Sequence, residues 1–296
     1  MNGAYLDSPI FVIGNPRSGT SLLRLILTSH SQVLIPPECG FIIWLSVMYS
    51  GWVQSDSCDP VKLKKYLDDL FACKKFETWK LEREKVERQI TFRQPANYAE
   101  LCSVIYEAFG TNFGKKFTIW GDKNNFHINH LRDLLDLYSK ARFLHIVRDG
   151  RDVACSYREV MEGKSNSPYA PKLNTGIEEI ALEWASNVMK VDSFITSMPD
   201  SQAMTIRYED MATNPQPAIS SMCEWLGLEF EKEMLNFYQQ NRDMDLEPNL
   251  TLDWKKRTTE PISRDTVGRY KTVLTNEEKT VFLSVANPVL CKFRYE

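Results

Sequence analysis

The chain has 296 residues, 43% of them hydrophobic and 25% charged, with a formal net charge of −3. That length suits one large α/β domain or two small ones, and the near-neutral charge gives no electrostatic footprint for a nucleic-acid partner. The longest apolar stretch, Phe41 to Val53, is interrupted by Ser46, Ser50 and Gly51 and is too short to cross a bilayer, while seven scattered cysteines without a CxxC pair read as reduced thiols rather than a zinc or disulfide framework.

In chain order, no basic and apolar leader precedes the first strand, so a cytoplasmic protein without a membrane span is expected. Ile10–Gly14 reads as a strand and Ser18–His30 as a helix, followed by a strand at Val33–Pro36. The segment from Asp59 to Arg93 is rich in Lys and Glu, with Leu67, Leu70 and Phe71 at helical spacing. It predicts a helical insertion at about 55–95, able to serve as a lid or an acceptor-binding element. Then come a helix at Asn97–Phe113, a strand at Phe117–Trp120 and a helix at Ile128–Ser139. A strand at Phe143–Val147, helices at Arg151–Glu162 and Ile177–Met198, and a strand at Ala203–Tyr208 complete the pattern. Strands alternating with helices predict a mostly parallel sheet covered on both faces, in a single domain without internal repeats.

The chemistry begins at Gly14-Asn-Pro-Arg-Ser-Gly-Thr20. A glycine-bounded loop between strand and helix offers backbone amides and a helix N-terminus to an anion. Gly14 and Gly19 have the spacing of a P-loop, but Thr20 stands where a nucleotide triphosphatase carries its Lys. The cation lies inside the loop instead, at Arg17, which points to a phosphate-bearing ligand not handled as Mg-ATP.

A second strand–turn–helix, Phe143-Leu-His-Ile-Val-Arg-Asp-Gly-Arg-Asp-Val-Ala-Cys-Ser156, puts Arg148 at the carboxyl end of a central strand. Ser156 follows about two helical turns later, within reach of the same anion if the helix crosses back over the strand end. Two such sites imply a ligand with two anionic groups; the plainer reading is a local Arg148–Asp149 ion pair. Glu38 leaves the strand at Val33–Pro36 through two stiffening prolines, and Lys123 leaves the strand at Phe117–Trp120. Their plainer readings are a solvent-facing Glu in a turn and a surface Lys balancing Asp122. Among the histidines, His30 ends the first helix, His145 sits in a strand as a satisfied core residue, and His127 is the one rival to Glu38 as a base. Trp44 and Phe41 are either core residues or the wall of an acceptor pocket.

These two motifs, about 130 residues apart, resemble those of sulfotransferases that use 3′-phosphoadenylyl sulfate (PAPS). PRSGTS resembles the family's 5′-phosphosulfate loop and FLHIVRDGRDVACSY its 3′-phosphate motif. The Arg17 loop, Pro-Pro-Glu38 and Asp122-Lys-Asn124 are most similar to the protein-tyrosine branch and its bacterial relatives. The resemblance implies a three-layer α/β fold like that of P-loop nucleotide kinases. It implies that Arg17, Ser18, Gly19, Thr20 and Ser21 hold the phosphosulfate and that Arg148 and Ser156 hold the 3′-phosphate. Tyr208 sits where the family has a nucleotide-contacting Tyr, and Ser263–Lys271 resembles the closing loop, with Gly268, Arg269 and Lys271 as its contacts. Glu38 matches the catalytic base, and Lys123 the cation that assists the leaving group together with Arg17. The product is then 3′,5′-adenosine bisphosphate, and no metal is implied. Val160 stands where the tyrosyl enzymes have a further Arg.

For the acceptor, Cys39-Gly-Phe supplies no basic group beside Glu38, which favours a small-molecule or glycan hydroxyl over an acidic tyrosyl peptide. The competing enzyme reading is a P-loop kinase or NTPase using Mg-ATP, with Asp122 as a metal ligand. A catalytically dead nucleotide-binding homologue has no chemical need for a base together with two phosphate sites. Oligomeric state leaves no mark on the sequence.

Overall fold

The computed structural model describes residues 8–295. Its strands are β1 (Ile10–Ile13), β2 (Val33–Leu34), β3 (Ile119–Lys123), β4 (Arg142–Val147) and β5 (Ala203–Arg207). They form one central sheet in the order β2-β3-β1-β4-β5, with β2 parallel to β3 and β4 parallel to β5. Helices flank the sheet, which is the α/β architecture expected. Val33 pairs with Ile119, and Phe143 through Val147 pair with Ala203 through Arg207. β1 is wholly buried, as its unbroken apolar run requires of a central parallel strand.

Two strands depart from the expected spans by more than one residue at an end. β2 stops at Leu34 because Pro36 and Pro37 have no amide to continue a ladder. β3 begins two residues late and extends through Gly121-Asp-Lys123, residues that disfavour strands. Tertiary contacts override that preference. A Cβ at Gly121 would lie 2.5 Å from the Ile10 carbonyl, so only glycine permits this approach of β1. The Asp122 carboxylate is in turn satisfied by Tyr106 and His127.

The chain divides into two compact units. The first runs through Phe11 and resumes over Ser31–Arg142. Its core is aromatic: the Trp79 ring lies 5.1 Å from both Tyr106 and Phe109, and Tyr106 stacks on Trp120 at 4.0 Å. The charged segment carries helices at Pro60–Phe71 and Arg83–Arg93. Asp59 starts the former by accepting the amides of Val61 and Lys62, with Pro60 at its first position. Its Leu63, Tyr66, Leu67 and Leu70 are buried, so the helix is amphipathic as its spacing predicts.

The second unit comprises Val12–His30 and the chain from Phe143 onward. Helices Gly150–Glu162, Ile177–Ile195 and Asn276–Lys292 contribute Val153, Tyr157, Trp184, Val188, Phe282 and Leu290 to one core. Trp184 Nε1 donates to the Arg148 carbonyl at 3.0 Å, anchoring the end of β4. Among the described residues no helix is long and apolar enough to cross a membrane.

Candidate active site

In the second unit, β1 ends in a tight turn in which the Ser18 amide donates to the Asn15 carbonyl at 3.1 Å. Arg17 and Gly19 have φ of 68° and 97°, left-handed values that an Arg rarely adopts. Such alternation turns successive backbone amides toward one side, the geometry of an anion nest. Helix Thr20–Thr28 then starts from Gly19 without a side-chain cap. A Cβ at Gly19 would lie 2.6 Å from the Tyr208 ring, so this turn needs glycine for both conformation and space. Asn15 ties the loop down: it donates to Tyr157 Oη at 3.1 Å and accepts from Asn187 at 2.8 Å.

Arg148, at the end of β4, donates to the carbonyls of Arg17 (3.1 Å) and Thr266 (2.7 Å) and lies over the Tyr208 ring. Asp149 does not pair with it. That carboxylate takes Arg151 at 2.7 Å and caps the helix Gly150–Glu162 through the Arg151 amide, so the plainer ion-pair reading of Arg148 fails. Arg17 Nε donates to Ser156 Oγ at 3.1 Å. Arg17, Arg148, Ser156, Tyr208 and Arg269 line one cavity of about 370 Å³, within the range of small-molecule sites. Its walls carry five cationic and three acidic side chains. Burial and then the neighbouring Arg148 push the Arg17 pKa down to about 10. Arg148 Nε and Ser18 Oγ are buried without a hydrogen-bond partner. Crowded cations and unmet donors are the properties of a site that an anion completes.

The segment Ser263–Lys271 reaches this cavity through Thr266, whose carbonyl takes Arg148 and whose Oγ1 shares a 2.7 Å hydrogen bond with Tyr208. Asp152 holds the segment by accepting the amides of Gly268 (2.6 Å) and Tyr270 (2.9 Å). Arg269 lines the cavity and pairs with Glu159 at 2.8 Å, whereas Gly268 and Lys271 do not line it, nor do Ser18, Gly19, Thr20 and Ser21. Asn15 and Asp152 lie inside the two motifs without a signal of their own, Thr266 is not distinguished from the rest of its segment, and no motif includes Lys256 and Arg257. The last two line the cavity, and the run Lys255-Lys-Arg257 was the available signal.

In the first unit, Glu38 follows β2 and Lys123 closes β3. They form an ion pair on Glu38 Oε1, while Lys75 Nζ donates to Oε2 at 2.7 Å. Glu38 is therefore not a solvent-facing turn residue, and Lys123, almost wholly buried, is not a surface lysine. Lys75 also corrects the expectation that no basic group stands beside Glu38. Local sequence could not show it, because the contact spans 37 positions. His127 is fully buried, with Nε2 3.0 Å from Asp122 Oδ1, and Asp122 also takes the Tyr106 hydroxyl. Phe41 is core, packed on Phe76, Trp79 and Tyr106, whereas Trp44 is partly exposed with its ring 6.2 Å from Phe126. His145 is in the core but neither ring nitrogen has a hydrogen-bond partner, and burial pushes its pKa down to about 3.

Comparison with known proteins gives concordant findings. Residues 9–232 match the model of a family described as the sulfotransferase family. The chain is 23% identical over 234 residues to protein-tyrosine sulfotransferase 1 of Danio rerio, covering 78% of this chain and 56% of that protein. It is 21% identical over 302 residues to protein-tyrosine sulfotransferase A of Caenorhabditis elegans, across 100% of this chain and 69% of that one. In three dimensions it is similar to the sulfotransferase domain from the curacin biosynthetic pathway, with a TM-score of 0.62, 19% identity and 98% of each chain covered.

Proposed function

The chain belongs to the sulfotransferase family, and from that premise we propose that it transfers a sulfuryl group from PAPS to an acceptor hydroxyl. The observation that carries this reading is the cavity of the second unit, where Arg17, Arg148 and Ser156 converge and Arg148 Nε is left without a partner. The donor supplies an SO₃ group attached to a phosphate leaving group. Loop 17–21 holds the phosphosulfate, with Arg17 as its cation. Arg148 and Ser156 hold the 3′-phosphate, Tyr208 contacts the nucleotide, and the segment carrying Gly268, Arg269 and Lys271 closes over it. Lys256 and Arg257 add positive charge to the same walls.

Glu38 takes the proton of the acceptor hydroxyl as its oxygen bonds to sulfur. The bond between sulfur and the phosphate oxygen breaks, leaving its electron pair on that oxygen, where Lys123 neutralises the developing charge. His127 is a weaker candidate for the base, because it is buried and paired with Asp122. The same pairing engages Asp122 and disfavours its service as a metal ligand in a kinase-like reaction, which Thr20 in place of the Walker Lys disfavours independently. For the acceptor we retain a small-molecule or glycan hydroxyl, since both ammonium groups at Glu38 are engaged by its own carboxylate. A tyrosyl peptide is the second acceptor class, favoured by Lys75 standing there.

Calorimetric titration with 3′,5′-adenosine bisphosphate, and with ATP with and without Mg²⁺, tests the reading. Tight bisphosphate binding that is indifferent to Mg²⁺ is expected. Binding of Mg-ATP alone would replace the proposal with the kinase reading.

A further inference from the structure

The charged segment of the first unit meets the Glu38 loop at one turn, and the contacts are consecutive. Trp79 Nε1 donates to the Pro37 carbonyl at 2.9 Å, Lys75 Nζ to Glu38 Oε2 at 2.7 Å, and Cys39 Sγ to the Lys74 carbonyl at 3.6 Å. Residues 37, 38 and 39 are thus each bonded to residues of the single turn 74–79. That turn is rigid for reasons of its own. Phe76 and Trp79 are buried in the aromatic core, and the Thr78 hydroxyl and amide both donate to the Lys75 carbonyl, at 2.6 and 3.0 Å.

At its apex Lys75 has φ of 71°, a left-handed conformation for which glycine is the ordinary choice. Backbone strain of this kind persists where the surrounding structure enforces it and concentrates at functional positions. Here it delivers the ammonium group of a side chain about one-fifth exposed to the carboxylate of a side chain 13% exposed. The other oxygen of that carboxylate takes Lys123, which is 1% exposed.

We propose that Lys75 is the positioning residue for Glu38, an inference that rests on Glu38 being the base. In this scheme the acceptor's proton goes to Oε1, the oxygen Lys123 occupies, and the proposed assistance to the leaving oxygen calls on Lys123 as well. Both demands are met when Lys123 leaves Oε1 and Lys75 stays on Oε2, keeping the carboxylate aimed. A carboxylate released from both lysines can rotate away from the acceptor, and misplacement on the scale of one ångström lowers catalysis by large factors. The charged segment thereby carries the anchor of the base.

The test uses the full chain as wild type, Lys75→Met, Lys75→Arg, Glu38→Gln and the Lys75→Met/Glu38→Gln double variant. Transfer from PAPS is followed to 2-naphthol, to N-acetyltyrosine amide and to water. Lys75→Met is expected to lower kcat roughly tenfold or more while KM for PAPS and affinity for 3′,5′-adenosine bisphosphate stay within about twofold. Lys75→Arg is expected to restore most of the rate, and Lys75→Met is expected to add nothing once Glu38 is Gln. Wild-type kcat in Lys75→Met alongside a slow Glu38→Gln would overturn the positioning role alone. Loss of bisphosphate affinity in Lys75→Met would overturn it too, by showing a general structural role. Wild-type turnover in Glu38→Gln would instead remove the base assignment on which the inference rests.

Discussion

The cavity around Arg148 and the cluster around Glu38 use the same kinds of side chain in opposite ways. In the second unit, cations gather with an excess over carboxylates, Arg17 is depressed to about 10, and Arg148 Nε and Ser18 Oγ lack partners. In the first, one carboxylate is matched by an ammonium group on each oxygen. The first arrangement leaves a buried guanidinium donor unmet, whereas in the second both ammonium groups share one carboxylate as their partner. Each contains one cationic residue held at left-handed φ, Arg17 at 68° and Lys75 at 71°. The cavity should therefore govern nucleotide affinity, and the cluster should govern turnover.

The sharpest way to break that division is to change one residue on each side. Glu38→Gln should lower kcat by roughly 100-fold or more with bisphosphate affinity unchanged, as steady-state kinetics and calorimetry would show. Parallel losses of affinity and rate would erase the distinction. Arg148→Ala removes charge-assisted contacts and should weaken bisphosphate binding about 10- to 100-fold. Unchanged affinity would separate Arg148 from the 3′-phosphate. Gly19→Ala forces an L-residue to φ of 97° and a Cβ against Tyr208. Urea unfolding should register a loss of about 1–2 kcal/mol from the backbone alone, and bisphosphate affinity should fall with it.

The smallest expected effect concerns protons. Arg17 is depressed to about 10 by burial first and Arg148 second, and a bound anion favours its charged form. Binding near pH 10 should therefore take up protons, and affinity should decline as pH rises through that value. Calorimetry in two buffers of different ionisation enthalpy reads the uptake directly, and proton release would contradict the assignment of Arg17 to the anion.

Much of this was legible in the sequence because the relevant signals are local. The strand–loop–helix units around Arg17 and Arg148 carry their geometry in adjacent residues, and the cavity that joins them with Ser156 and Tyr208 follows from the α/β alternation. The boundaries of β2 and β3 were misplaced where prolines and a Gly-Asp-Lys run competed with apolar character. The contacts of Glu38 were illegible for a different reason. Lys75 lies in a segment whose charge pattern describes solvated helices, and its role depends on Trp79 and Phe76 folding that segment back onto the Glu38 loop. Asp152 was hidden likewise, since its two amide partners lie 116 and 118 residues away.

The structure of the complex with 3′,5′-adenosine bisphosphate would locate both phosphates at once. The 3′-phosphate is expected within hydrogen-bond distance of Arg148 and Ser156, and the 5′-phosphate on the loop of residues 17–21. A bisphosphate bound elsewhere, or with its phosphates away from both motifs, would contradict both assignments.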